Sequence, residues 1–340
     1  MATRFAFVGF RHGHIFDLLK RVQDDPRCEL VAACEENPAT RAELEPSGKV
    51  KITHERCDRM LAEVQCDAIA VGDAYGLRGD RAIQALQAGK HVISDKPICT
   101  SLEQLKRIAQ LAAKSKLCVG CQLDLRDNGP LRTARRLIQA GEIGEVQTVD
   151  FSGQHPLNLG VRPQWYFEPG MHGGTINDLA IHGIDVVSWI AGRTFAEVVA
   201  ARAWNAKTPQ FPHFQDAAQA MLRLDNDGGV LFDVSYLSPD GLYGLPYYWR
   251  FLIHGTRGVI ETVIGSDKLM LVHHGEKSPT YVNADPGRPG GYLQSFLDEI
   301  AGHPEDAELT TPEVIATQAV VLTAQQAADQ GKTNVPCTGV

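Results

Sequence analysis

The sequence predicts two joined architectures: an α/β region with a doubly wound parallel sheet, then an α+β region with a large, mostly antiparallel, open-faced sheet. Up to residue 122, short apolar runs alternate with amphipathic stretches, the pattern of repeated βαβ units. From residue 197 onward, alternating strand-like runs follow one another with few helices between, the pattern of an antiparallel or mixed sheet. A length of 340 residues gives room for two domains with separate cores. The expected division gives domains over 1–122 and 123–340.

Each element has its own signal. The run Phe5-Ala6-Phe7-Val8 carries a first strand over 4–9, and a helix over 15–23 follows with apolar residues at helical spacing. A strand over 29–34 and helices over 39–45 and 58–63 come next. Residues 68–71 are all apolar and too few for a helix, so they read as a buried strand. In Leu86-Gln87-Ala88-Gly89 a helix over 81–88 stops at glycine and releases the chain into a strand over 91–94. A helix over 102–113 and a strand over 117–122 complete the first domain. In the second, a helix over 130–140 stops at Gly141 and a strand over 146–153 follows. Gly173-Gly174 opens a helix that runs to 191. Strands are expected over 197–204, 217–224, 229–236, 248–254, 259–263 and 269–272. The last helix, over 312–330, carries alanines and valines at helical spacing and is expected to pack back toward the first domain. Proline-rich loops over 156–169, 209–216, 239–247 and 286–291 are candidates for the walls of a site.

Composition narrows the function classes. Apolar residues make up 44% and charged residues 22%, ordinary for a soluble globular protein. A formal charge of −8 argues against a nucleic-acid or anionic-membrane surface. No apolar run is long enough to span a bilayer, and the first strand begins too early for a removable signal, so a cytoplasmic location is expected. Of eight cysteines, Cys28, Cys34, Cys57, Cys66, Cys99, Cys118 and Cys121 precede residue 122 and only Cys337 follows. In or beside strands they read as small buried hydrophobes. Cys118-x-x-Cys121 has no second pair, and on a strand its members face opposite sides, so metal binding is discounted.

The chemistry gathers in three places. In Gly173-Gly174-Thr175-Ile176-Asn177-Asp178-Leu179-Ala180-Ile181-His182-Gly183-Ile184-Asp185, Asp178 and His182 stand four residues apart on one expected helical face. Asp95-Lys96-Pro97 closes a strand. A lysine, a histidine and an aspartate in one cleft suit proton transfer to and from an alcohol oxygen. The blander alternatives are a structural histidine, a solvated strand-end lysine and a capping aspartate. Asp185 reads as packing or hydrogen-bonding structurally, Trp189 as a core position, and Trp165 as either a pocket wall or a packed aromatic. At the third place, the first strand runs into Gly9-Phe10-Arg11-His12-Gly13-His14. A dinucleotide-binding turn reads G-x-G-x-x-G. Here only Gly9 is in register: Arg11 replaces the second glycine, His14 the third, and Gly13 falls one place early. Glu35 ends the second strand, where an acid bonds ribose hydroxyls and repels a 2′-phosphate. NAD is expected, while Arg11, able to reach a phosphate, keeps NADP open.

Assembled, these residues resemble the glucose–fructose oxidoreductase / inositol dehydrogenase / MocA (Gfo/Idh/MocA) family. The likeness also rests on Ala88-Gly89-Lys90-His91-Val92, Arg126, Pro130, Gly141-Glu142-Ile143-Gly144-Glu145-Val146 and Gly255-Thr256-Arg257-Gly258. It implies a Rossmann first domain and a nicotinamide-dependent dehydrogenase or reductase acting on a sugar, a cyclitol or a derivative. Lys96 would sit by the nicotinamide ribose and the reacting oxygen, His182 would take the alcohol proton, and Asp178 would hold a substrate hydroxyl or orient the donor. Asp73, Ala74, Tyr75 and Arg78, with Asp95, Lys96 and Pro97, would lie along the cofactor, and His12 and His14 would flank its pyrophosphate. A homodimer or homotetramer through the second domain's sheet is implied as well. The chain departs from the family where Asp73–Arg78 replaces Thr-Pro-Asn-x-x-His and Asp95 replaces a glutamate. An NAD-using glycosidase without net redox and a non-catalytic nucleotide or sugar sensor are the competing readings.

Overall fold

The computed structural model describes residues 2–241 and 248–337. Residues 242–247, part of the proline-rich loop expected over 239–247, lie outside the described residues. The first half runs β1 (Thr3–Val8), α1 (Ile15–Asp24), β2 (Cys28–Cys34), α2 (Pro38–Ser47), α3 (Cys57–Glu63), β3 (Ala68–Val71), α4 (Tyr75–Gln87), β4 (His91–Ser94), α5 (Leu102–Ser115) and β5 (Val119–Cys121). Its strands form a parallel sheet in the order β2-β1-β3-β4-β5. Every residue of β3 is buried, as an apolar strand covered on both faces must be. The strand order reverses at β1, so a crevice opens past the C-terminal ends of β1 and β3, where Rossmann-type sheets bind ligands.

Helix α4 begins at Tyr75, six residues before the expected helix over 81–88. Gly76 and Gly79 disguise its first turns as a loop. Both are demanded by packing: a Cβ on Gly76 would lie 2.2 Å from the Gly170 carbonyl oxygen, and one on Gly79 would lie 2.5 Å from the Gln104 side chain.

The second half runs α6 (Gly129–Gln139), β6 (Val146–Pro156), a π-helical turn (Ile176–Ala180), α7 (Ile181–Ala191), β7 (Phe195–Trp204), β8 (Ala217–Leu224), β9 (Gly229–Ser238), β10 (Trp249–Gly255), β11 (Gly258–Val263), β12 (Lys268–His273), β13 (Thr280–Asn283), α8 (Gly291–Ile300), α9 (Thr311–Gln330) and β14 (Thr333–Pro336). Among the described residues its sheet has the order β13-β12-β11-β10-β6-β9-β8-β7-β14. Neighbours are antiparallel except β6 and β9, which pair in parallel and make the sheet mixed. Helices α6, α7 and α9 contact one face. On the other face Met221 and Leu231, register partners across β8 and β9, stand 46% and 51% exposed. Short β13, β14 and α8 were not expected from the sequence. Helix α9 touches α5 and β5 of the first sheet as well as β7 of the second, so it ties the two halves together.

Candidate active site

The paired glycines before the π turn are forced by contacts. Gly173 and Gly174 have φ of +77° and +94°, and a Cβ on Gly174 would lie 2.1 Å from the Gln325 side chain of α9. That side chain instead caps the turn, its Oε1 accepting from Ile176 N–H at 3.0 Å. Two turns away on α9, Gln318 accepts from Ile98 N–H (3.0 Å) and donates to Asn177 Oδ1 (2.7 Å). Asn177 in turn donates to the Cys99 carbonyl at 3.1 Å. The strand-end segment carrying Lys96 is thereby fastened to the turn carrying Asp178.

Asp178 and His182 do share one cavity, although the backbone between them differs from the regular helix expected. Asp178 lies in the π turn and His182 in the first turn of α7, and π turns of this kind recur at functional sites. The cavity, about 220 Å³, is lined by Lys96, Asp178 and His182 together with Tyr75, His155, Arg162, Tyr166, Tyr236 and Trp249, among others. Lys96 Nζ donates to Asp178 Oδ1 at 2.7 Å and to its carbonyl at 2.9 Å. Asp178 Oδ2 accepts from the Tyr236 hydroxyl and lies 3.2 Å from His172 Nε2. Burial opposes ionisation of Asp178, but Lys96 and His172 outweigh it and hold the carboxyl well below its ordinary range. The carboxylate therefore orients Lys96. His182 is its opposite: burial, reinforced by the nearby Lys96 charge, keeps it neutral, and its buried Nδ1 has no hydrogen-bond partner. Asp185, read as packing or hydrogen-bonding structurally, forms a buried, hydrogen-bonded ion pair with Arg126 at 2.7 Å.

At the nucleotide turn, Gly9 has φ +80°, and a Cβ there would lie 2.6 Å from Asp73. Gly13 has open space where a Cβ would stand, so crowding does not account for it. Phe10 is buried and packs against Phe7. Helix α1 opens with no side-chain cap; its first N–H groups turn back on the His12, Gly13 and His14 carbonyls, and its N-terminal dipole points into the turn. Glu35 is buried at the end of β2 and accepts from Phe10 N–H (2.7 Å) and Asn37 N–H (2.8 Å). The Arg11 guanidinium lies 3.6 Å from the Asp73 carboxylate. A glycine pressed against the neighbouring strand end, a helix N-terminus without a side-chain cap and a strand-end acid together fit a dinucleotide.

The departures from the usual turn form a connected group. His12 is buried, its Nδ1 2.5 Å from Asp95 Oδ2 and its Nε2 3.1 Å from the Tyr75 hydroxyl. The Tyr75 hydroxyl lies 2.7 Å from that of Tyr166. Arg78, fully buried, donates to the Asp73 and Lys96 carbonyls and to Asp95 Oδ2 (2.7 Å), with its guanidinium 4.4 Å from the Tyr75 ring centre. Ala74 is buried beside this group, and the Lys96–Pro97 peptide is cis. His14 is mostly exposed, its Nδ1 3.4 Å from Asp95 Oδ1. His12, His14 and Asp95 lie close enough to ligate a metal, but His12 and Arg78 both take Asp95 Oδ2, and the Arg78 cation opposes a second positive charge there. Trp165, expected either to wall the pocket or to pack, packs: its Nε1 donates to the Arg11 carbonyl at 3.1 Å and its ring lies against Tyr75. The adjacent Tyr166 lines the cavity instead.

Sequence reasoning missed His172, Tyr236, His155, Arg162, Tyr166 and Trp249. His172 stands directly before the glycine pair and could have been suspected. Tyr236 and Trp249 look like ordinary inward positions of strands.

Two family profiles match the chain. One, described as an oxidoreductase family with an NAD-binding Rossmann fold, covers residues 3–123; the other, the GFO/IDH/MocA C-terminal domain, covers residues 131–261. An uncharacterised oxidoreductase of Schizosaccharomyces pombe is 26% identical over 77% of this chain and 72% of its own. The 1-carboxy-3-chloro-3,4-dihydroxycyclohexa-1,5-diene dehydrogenase of Comamonas testosteroni is 26% identical over 62% of this chain and 52% of its own. The 1,5-anhydro-D-fructose reductase of Ensifer adhaerens is 28% identical over 42% and 43%. This chain thus spans about half the length of those two relatives. A solved structure from Thermotoga maritima superposes with a TM-score of 0.84 over 98% of this chain and 99% of that one, at 24% identity. An Agrobacterium radiobacter oxidoreductase in complex with NAD+, L-tartaric acid and magnesium does so with 0.78 over 98% of each chain, at 19% identity. At those identities the structural likeness speaks for the fold.

Proposed function

Because this chain belongs to the Gfo/Idh/MocA family of NAD-binding oxidoreductases, we propose that it transfers a hydride between NAD and a hydroxyl or carbonyl carbon of a sugar, cyclitol or derivative. One observation carries the reading: a fixed cation shares a single cavity with a neutral imidazole whose Nδ1 makes no hydrogen bond and has the Asp124 carboxylate 3.6 Å away. Oxidising an alcohol means removing its proton as its carbon gives up a hydride. NAD, when bound, supplies the hydride acceptor. His182, kept neutral by burial, is unprotonated and so able to accept the hydroxyl proton. Lys96, buried and aimed by Asp178, stabilises negative charge on the reacting oxygen. The two named relatives act on cyclic polyhydroxy compounds, which supports the substrate class.

The buried Glu35 carboxylate and the pull of Asp73 on Arg11 favour NAD over NADP. Eight free cysteines suit a reducing compartment, so we place the protein in the cytoplasm; no described helix is long and apolar enough to cross a membrane. The open sheet face makes a homodimer or homotetramer the expected assembly.

The test is reduced-nicotinamide absorbance, its rise with NAD or NADP across myo-inositol, D-glucose and levoglucosan, and its fall with NADH or NADPH on 1,5-anhydro-D-fructose. His182→Ala and Lys96→Ala should each lower kcat by roughly 10²- to 10⁴-fold. Turnover that survives both substitutions would move the chemistry elsewhere. Hydrolysis without net reduction would favour the glycosidase reading, and cofactor binding without turnover a sensor.

A further inference from the structure

Taking up a hydroxyl proton puts a positive charge on His182, and the surroundings of the ring resist that charge. Burial holds its pKa well below the ordinary histidine range, and Lys96, His14 and His155 add to the effect. Asp178 pulls the other way, but its carboxylate is already bound to Lys96. A histidine that serves as the base here needs a counter-charge of its own. One stands beside the ring. Asp124 Oδ1 lies 3.6 Å from His182 Nδ1, and both residues line the cavity. Nδ1 is enclosed and makes no hydrogen bond. With Nδ1 turned to Asp124, Nε2 is the nitrogen that can meet a substrate hydroxyl. Trp249 stands edge-on to the imidazole, ring centres 5.8 Å apart, and limits its rotation.

The spacing is built into the fold. Asp124 opens the 3₁₀ turn Asp124–Asp127 that follows β5. Arg126, in the same turn, donates to both carboxylate oxygens of Asp185, at 2.9 and 2.7 Å. Asp185 lies about one helical turn past His182 on α7. That buried pair therefore clamps the turn carrying Asp124 to the helix carrying His182. A separation of 3.6 Å is too long for a hydrogen bond, yet catalytic hydrogen bonds often tighten only once substrate is bound. The Asp124 side chain is 63% exposed and has room to swing the remaining distance. Desolvation raises its pKa, against the pull of His14 and Lys96. The carboxylate accordingly holds a hydrogen more strongly than an ordinary surface acid would.

We infer that Asp124 is the positioning residue for His182: its carboxylate holds the ring hydrogen on Nδ1, keeps Nε2 bare, and balances the positive charge that arrives with the hydroxyl proton. The inference rests on the dehydrogenase reading above. In the oxidation step the substrate O–H bond breaks and an Nε2–H bond forms, while the hydride leaves the carbon for the nicotinamide. The Nδ1–H bond stays intact and becomes a charge-assisted hydrogen bond to Asp124. Reduction runs the same step backward, with Nε2–H giving its proton to the carbonyl oxygen. A carboxylate that fixes the tautomer of a catalytic histidine and supports its imidazolium acts in this way on unrelated folds. Asp124 and Asp178 thus divide the work, one serving the histidine and the other the lysine.

The tautomer can be read without substrate, by histidine ¹⁵N NMR on the whole protein. In the wild type His182 should carry its hydrogen on Nδ1. In Asp124→Asn a measurable share should move to Nε2, because the amide can donate to Nδ1 instead. A wild-type hydrogen on Nε2, or a tautomer indifferent to Asp124→Asn, overturns the proposal. The kinetic test uses the fastest compound of the named panel. Asp124→Asn should lower kcat by roughly 10²-fold with substrate KM held within about threefold, the mark of an interaction made only in the transition state. Asp124→Ala should lose as much and regain part of it with added formate, for which the exposed position leaves room, while His182→Ala should regain nothing. Wild-type kcat in Asp124→Asn, or no formate rescue of Asp124→Ala, overturns the positioning role while leaving the dehydrogenase standing. No turnover by the wild type with any panel compound refutes the dehydrogenase reading, and the tautomer measurement then decides the Asp124–His182 pair by itself.

Discussion

Among single residues, the Lys96–Asp178 pair is the most exposed to test. Both side chains are buried, and each answers the other's charge. Removing one partner of a buried pair leaves an uncompensated charge, at a cost of about 3–5 kcal/mol. Lys96→Ala should therefore destabilise the protein by that amount in urea unfolding. Asp178→Asn beside it should return part of the loss, because the orphaned charge is gone. A coupling energy of roughly 1–3 kcal/mol is expected from the double-mutant cycle. Strictly additive losses would mean that Tyr236 and His172 alone satisfy the carboxylate. This pair was visible in the sequence because its residue types are rare in buried positions and flank a glycine pair and a proline. Tyr236 and Tyr166 were not. A tyrosine in an apolar pattern signals packing, and only the three-dimensional path of its hydroxyl reveals a second use. The choice between Trp165 and Tyr166 turned on the phase of a four-residue 3₁₀ turn, which no periodicity fixes.

At the scale of elements, α9 emerges as the organiser of the site. The alanines and valines of its sequence suggested a packing helix, and it does pack against both halves. Its buried amides do more. Gln318 satisfies Ile98 N–H and Asn177 Oδ1 together, so the lysine segment and the π turn take their spacing from one side chain. Gln318→Leu keeps much of the volume but orphans both groups, at about 1–3 kcal/mol each. The expected outcome is a lower kcat, by tenfold or more, with NAD affinity by calorimetry held within about twofold of wild type, since a small misplacement of catalytic groups costs on that order or more. Unchanged kcat in a destabilised protein would make the amide purely structural. The π turn itself was unreadable, because a single widened turn leaves the apolar spacing of Ile176–Ala191 nearly as a helix would have it. Helix α4 was shortened in the sequence reading for the opposite reason: two glycines required by close packing look like breakers until the neighbouring backbone is seen.

Across the whole molecule, the alternation of buried and exposed positions made both sheets legible, and strand order was the part that sequence withheld. The parallel pairing of β6 with β9 joins strands far apart in the chain, and the helices pack on one face of the sheet. That arrangement leaves the opposite face bare, and the bareness has a consequence for assembly. Met221 and Leu231 are register partners, so their exposed side chains sit together, bordered by Arg202, Asp233 and Arg250 around a shallow depression of about 560 Å³. An apolar centre with mixed charges at its rim is the composition of a protein interface. A second copy, meeting this face about a twofold axis, would set arginines against aspartates as well as leucine against methionine. Sedimentation velocity should then show a dimer or tetramer in wild type at micromolar concentration. Met221→Lys with Leu231→Lys should produce a monomer, because like charges would be buried opposite one another. The two substituted positions do not line the catalytic cavity, so the isolated chain should still bind NAD. A monomeric wild type would mean that this face serves another partner or none, and an assembly indifferent to both lysines would place the contact elsewhere on the molecule.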